Sequence, residues 1–76
     1  MNIELFLLQF LSIFDDPPVG VNAGSEFRTL PGWDSLAAIG LLAMVNAEYD
    51  VILSGDELKA CATIQDIFEL VGRKIG

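Results

Sequence analysis

The first fourteen residues constrain this chain more than any other stretch. Ile3, Phe6, Leu7, Phe10, Ile13 and Phe14 recur every three or four positions, the spacing of one buried face of an α-helix. The helix is predicted to run up to Asp15-Asp16-Pro17-Pro18, where two prolines withhold backbone donors and bias Asp16 out of helical geometry. Leu5, Leu8 and Leu11 fall off the main stripe. The helix is thus more apolar than one packed face requires, which leaves room for a contact surface on it.

A helix with such a stripe needs other apolar faces to pack against, and the rest of the chain supplies two more. From about Asp34 to Tyr49, Ala38, Leu41, Leu42, Val45 and Tyr49 form a core stripe, with Leu36, Ile39 and Ala43 on an adjacent face. Gly40 lies inside this helix, where it costs about 1 kcal/mol relative to Ala; close approach of a partner or tight internal packing would each account for it. In the last helix, Thr63 and Asp66 have the spacing of a capping box, and Ile64, Ile67, Phe68, Val71 and Ile75 form the stripe. Arg73 and Lys74 fall where they favour the negative end of the helix dipole. Between the second and last helices, "SGDELKAC" reads as a turn and a short helix capped near Ser54 or Gly55.

Residues 15 to 34 form a long connection rich in Gly, Pro and Asn. Val19, Val21, Phe27, Leu30 and Trp33 are expected to anchor it over the helices, with Trp33 a packing residue and not a ligand-stacking one. The predicted fold class is all-α: a four-helix bundle of three main helices and one short one, with a long loop between helices one and two. With 76 residues, a single domain over residues 1–76 is expected.

Composition excludes several function classes. Eleven acids against four basic residues give a formal charge of −7, so phosphate backbones repel the chain and nucleic acid is not an expected partner. There is no histidine, which removes imidazole chemistry and His-ligated metal sites. Cys61 is the sole cysteine and reads as a small buried hydrophobe. "LFLLQFLSIF" has no basic flank and is interrupted by Gln9 and Ser12, so neither a signal peptide nor membrane insertion is expected. A cytoplasmic monomer is the expected state. The pairs Asp15–Asp16 and Asp56–Glu57 lack EF-hand spacing and read as solvated helix ends.

The candidate functional residues lie in "LPGWDSLAAIGLLAMV", residues 30 to 45. Asp34 and Ser35 are both good N-caps, and one reading is that they only satisfy free amides at a helix start. Nucleophilic catalysis by Ser35 is not expected, because no histidine can act as its base and the G-x-S-x-G elbow is absent. The other reading is covalent modification. A phosphate esterified to a serine at a helix N-terminus meets free amides and the positive end of the dipole.

"DSL" opening a second helix after a long loop containing a Phe, then a short helix and a closing "TIQDIFELV", resembles an acyl carrier protein over nearly the whole chain. The resemblance implies that Ser35 receives 4'-phosphopantetheine from coenzyme A through a separate phosphopantetheinyl transferase. It implies that Asp34 sits at the position associated with magnesium in that transfer step, and that the protein catalyses nothing itself. Leu36 and Ile39 occupy positions at which such carriers touch their partners, and Ala43 extends that face. The partners implied are the transferase and an acyl-loading ligase, synthase or acyltransferase. Fatty-acid carriers usually place acids along helix two, whereas Ala37, Gly40, Asn46 and Ala47 stand here. A specialised pathway, with enzymes that grip an apolar helix, is therefore expected. An aminoacyl or peptidyl carrier and an unmodified helical adaptor are the alternatives.

Overall fold

The computed structural model describes residues 2–75. Four α-helices occur among them: α1 (Ile3–Leu11), α2 (Ser35–Tyr49), α3 (Gly55–Lys59) and α4 (Ile64–Ile75). No strand occurs among the described residues; the only extended pairing is an isolated antiparallel bridge between Glu26 and Thr63. The all-helical class therefore holds. α1, α2 and α4 pack against one another in every pairing, and α3 is a short lid on their shared core.

That core is Phe6 and Phe10 from α1, Leu41 and Val45 from α2, Leu58 from α3, and Ile64, Ile67 and Val71 from α4, closed by Phe27, Val51, Leu53 and Cys61. The stripes expected in α1 and α4 supply Phe6, Phe10, Ile64, Ile67 and Val71 of it, with Ile3, Leu7, Ile13, Phe14 and Phe68 partly buried against it. Ile75 is the exception, half-exposed at the end of α4. In α2 the buried line is Ala37, Leu41 and Val45, with Ala38, Leu42 and Tyr49 partly buried beside it. Ala37 lies one residue before the expected start of the stripe and is interior.

α1 ends three residues earlier than the apolar spacing predicts. At Ser12 the ladder changes register: the N–H groups of Ile13 and Phe14 donate to Phe10 and Leu11 at 3.2 Å, one residue closer than in an α-helix. The Ser12 hydroxyl also donates to the Gln9 carbonyl at 2.6 Å. This tighter turn keeps Ile13 and Phe14 against the core while releasing them from the helix. Apolar spacing alone does not distinguish the two arrangements.

Residues 12–34 connect α1 to α2 and include a 3-10 turn at Phe27–Thr29. Phe27 is fully buried, and Val21, Leu30 and Trp33 pack against the core, whereas Val19 projects into solvent and anchors nothing. The loop is also bonded to α4. Ile64 and Gln65 donate their N–H groups to the Ser25 and Ala23 carbonyls at 3.1 and 2.8 Å, satisfying amides that a helix start leaves free. Arg28, not singled out in the sequence, reaches across to α3. Its guanidinium donates to the carbonyls of Leu58 (2.6 Å) and Cys61 and lies 4.6 Å from the Phe27 ring centroid.

The remaining caps follow sequence logic. Asn2 accepts from Glu4 and Leu5 to start α1. Ser54 and Glu57 form a reciprocal box on α3, and Thr63 and Asp66 a second one on α4. The N–H groups of Thr63 and Ala62 hold the Asp66 carboxyl below its usual pKa, and the Lys74 ammonium 2.7 Å from Glu57 does the same there. Burial pushes the Cys61 thiol up, with Asp66 adding to the effect, in keeping with a buried structural cysteine.

Candidate functional site

The geometry around Ser35 is set by the four residues before it. Leu30-Pro31-Gly32-Trp33 closes a tight turn, with the Trp33 N–H donating to the Leu30 carbonyl at 3.1 Å. Pro31 supplies the fixed φ of the second position, and Gly32 adopts φ +88° at the third, the type II pattern. A Cβ at Gly32 would lie 3.3 Å from Cδ1 of Phe14, so any other residue would push that ring by a few tenths of an ångström in addition to straining the backbone at positive φ. Trp33 then stacks on Phe10 at 6.1 Å and meets Phe27 edge-on at 5.0 Å. It is a packing anchor that fixes where α2 begins.

The capping role belongs to Asp34. Its backbone is extended, and its Oδ1 accepts from the Ala37 N–H at 2.9 Å. Ser35 is the next residue, the first of α2, and it is exposed. Among the described residues its hydroxyl takes part in no hydrogen bond, and the N–H groups of Ser35 and Leu36 have no partner. The two readings of the Asp-Ser pair are thereby separated by position: the acid caps and the serine is free.

Leu36 and Ile39 are exposed by 76% and 63%, and Ala43 is exposed on the same side of α2. Ile52, just beyond the helix, is exposed by 79% and was not anticipated, because its buried neighbours Val51 and Leu53 mask it within an apolar run. Of the four neutral positions expected to face a partner, only Asn46 and Ala47 are exposed. Ala37 is interior, and Gly40 is half-buried with Ile13 beside it. On the α1 side Leu5 and Leu8 are exposed, as their place off the stripe implies, whereas Leu11, also off it, is half-buried against the core.

Beside Ser35 an open groove of about 310 Å³ runs between the end of α1 and the start of α2. Its neighbours Asp34 and Leu36 both line it, with Asp15 and Asp16 across from them. Asp15 and Asp16 lie not at a helix end but in the bend after α1, and the eighteen residues between them and the serine (17–34) carry no local signal of this return.

An exposed serine hydroxyl beside two free helix amides suits a phosphodiester, whose anionic oxygens such amides can receive. The comparison with protein families agrees. The family model described as "Phosphopantetheine attachment site" matches residues 8–71 of the 76-residue chain. No curated protein matches the chain by sequence. No helix among the described residues is long and apolar enough to cross a membrane. The chain belongs to the phosphopantetheine attachment site family, whose members are non-catalytic carriers bearing a covalently attached 4'-phosphopantetheine group.

Proposed function

We propose that the chain is an acyl carrier protein and that Ser35 bears the 4'-phosphopantetheine. The observation that carries this reading is the free, exposed Ser35 hydroxyl at the first position of α2, next to an Asp34 that has taken over capping. When attached, the group supplies a terminal thiol that holds acyl intermediates as thioesters. Ser35 provides the oxygen of attachment, and the partner transferase must supply the base, since no histidine exists in this chain.

Asp34 is assigned the magnesium contact of the transfer step. Its Oδ1 is engaged by the Ala37 N–H, and a carboxylate retains further lone pairs for a cation. Leu36, Ile39 and Ala43 form the partner-facing surface, used in turn by the phosphopantetheinyl transferase and by an acyl-loading ligase, synthase or acyltransferase. The apolar character of that face, with no acid among its exposed residues from Leu36 to Ala47, supports a specialised pathway over primary fatty-acid synthesis. The working form is proposed to be a cytoplasmic monomer, with residues 1–76 folded as one carrier domain.

An aminoacyl or peptidyl carrier would share the attachment chemistry and differ in cargo. Protein converted to the holo form with coenzyme A and magnesium is offered to acyl-activating and to aminoacyl-activating enzymes, and intact mass is read. An acyl adduct is the expected result; an aminoacyl adduct alone would overturn the cargo assignment.

A further inference from the structure

From Pro31 to Leu36 every residue is exposed except Trp33. Outside the helix ladder, the hydrogen bonds of this stretch are all local. The Trp33 N–H donates to the Leu30 carbonyl, and the Ala37 and Ala38 N–H groups donate to the Asp34 side chain and carbonyl. Trp33 is the one side chain of the stretch that packs against the core. Its indole meets three separate segments. It stacks on Phe10 of α1 with the planes 13° apart, tilts against Phe14 of the following turn at 6.4 Å, and takes Phe27 of the loop edge-on. Among the described residues the Ser35 hydroxyl has no hydrogen-bond partner, so its place is set by the backbone that leaves Trp33.

We propose that Trp33 is a positioning residue for group transfer at Ser35. Clamped by three phenylalanine rings, the indole holds the Ser35 oxygen at one place relative to the bundle that a partner grips. The inference rests on the carrier reading above and extends it to a side chain packed into the core. In the transfer, the Ser35 oxygen forms a bond to the phosphorus that bears pantetheine. The pyrophosphate P–O bond of coenzyme A breaks, the nucleotide leaves with its electron pair, and the serine proton passes to a base of the transferase. Misplacing a reacting atom by about 1 Å can cost about a hundredfold in rate. Helix formation is a separate matter: the Asp34 cap and the buried Ala37, Leu41 and Val45 make α2 without the indole. Leu36 and Ile39 therefore stay on the helix when the indole is lost, and the defect falls on kcat and not on KM.

The test is steady-state 4'-phosphopantetheine transfer from coenzyme A by a broad-specificity transferase with magnesium, on chains shown to be folded by circular dichroism. Wild type is compared with Trp33→Ala, Trp33→Phe and Phe68→Ala. Phe68 is a half-buried ring packed on Phe6, which also meets Tyr49 at the far end of α2, so its truncation controls for loss of a core aromatic. Trp33→Ala is expected to lower kcat about tenfold with KM within about twofold of wild type. Trp33→Phe keeps a ring among the phenylalanines and should restore kcat to within about twofold. Phe68→Ala should leave both constants near wild type. Should Trp33→Ala not fold, Trp33→Leu takes its place with the same expected fall. An unchanged kcat, an equal fall in Phe68→Ala, or a rise in KM alone would overturn the proposal while leaving Ser35 modification intact. A wild-type chain that accepts no group would remove the carrier reading and this inference with it.

Discussion

α2 and α4 are the two longest helices, at 15 and 12 residues, and they divide their surfaces differently. α4 buries Ile64, Ile67 and Val71 and turns Glu69, Arg73 and Lys74 outward, the sidedness of a helix whose work is structural. α2 buries Ala37, Leu41 and Val45 in the same way but presents Leu36, Ile39 and Ala43 to solvent. Folding does not require that second apolar face. We propose that this apolar solvent side of α2, which starts next to Ser35, is the face a partner enzyme covers.

Truncating matched residues on the two helices should have opposite consequences. Ile67→Ala on α4 should cost about 2–5 kcal/mol of unfolding free energy by denaturant titration, because it empties a fully buried site. Ile39→Ala on α2 should change stability by less than about 0.5 kcal/mol, yet weaken docking to the loading enzyme. Similar stability losses from both would show that the α2 face is structural.

Next in size is the turn that delivers Ser35. Gly32→Ala places a Cβ 3.3 Å from Phe14 at φ +88° and should destabilise by about 1–2 kcal/mol, seen as a lower Tm. No such strain exists in the α4 approach, which rests on side-chain caps and loop carbonyls.

The α4 start should reveal itself through pH. Asp66 has a lowered folded pKa, so its contribution is present above the ordinary carboxylate value of 3.8 and is lost as pH falls through the folded value. Stability of Asp66→Asn should therefore fall less steeply than wild type below about pH 4. An unchanged acid limb would mean that this cap adds nothing.

The smallest effect concerns Gly40. An added Cβ would meet Ile13 Cβ at 3.5 Å, ordinary contact, so Gly40→Ala should raise stability by about 0.5–1 kcal/mol in thermal unfolding. A loss instead would contradict the ordinary contact distance beside Ile13.

Much of the fold could be read directly. Helical spacing located the core faces of α1, α2 and α4, and the Thr63–Asp66 spacing located a real cap. The places that escaped share a cause: the deciding contact is distant in sequence. Ile13 and Phe14 keep helical spacing in a tighter turn, since the core behind them accepts either geometry. Arg28 carries no local signal because its acceptors, Leu58 and Cys61, lie 30 and 33 residues away. Ile52 carries no local signal of exposure, and past the left-handed cap of α2 at Asp50, φ +55°, it lies outside while Val51 and Leu53 are buried. For the site, the Asp-Ser pair was visible but not which of them caps; the Asp34–Ala37 bond decides that, and the groove that brings Asp15 and Asp16 beside them appears only once the loop is folded.

We propose that the free hydroxyl at the head of α2 is the attachment point. Wild-type protein and Ser35→Ala are each incubated with coenzyme A, magnesium and a broad-specificity transferase, then digested and mapped by mass spectrometry. Wild type should gain one phosphopantetheine, confined to the peptide holding Ser35. Ser35→Ala should gain none, and its circular dichroism should match wild type because Asp34 still caps α2. A phosphopantetheine found on the Ser35→Ala chain, or on any other residue of wild type, would contradict it.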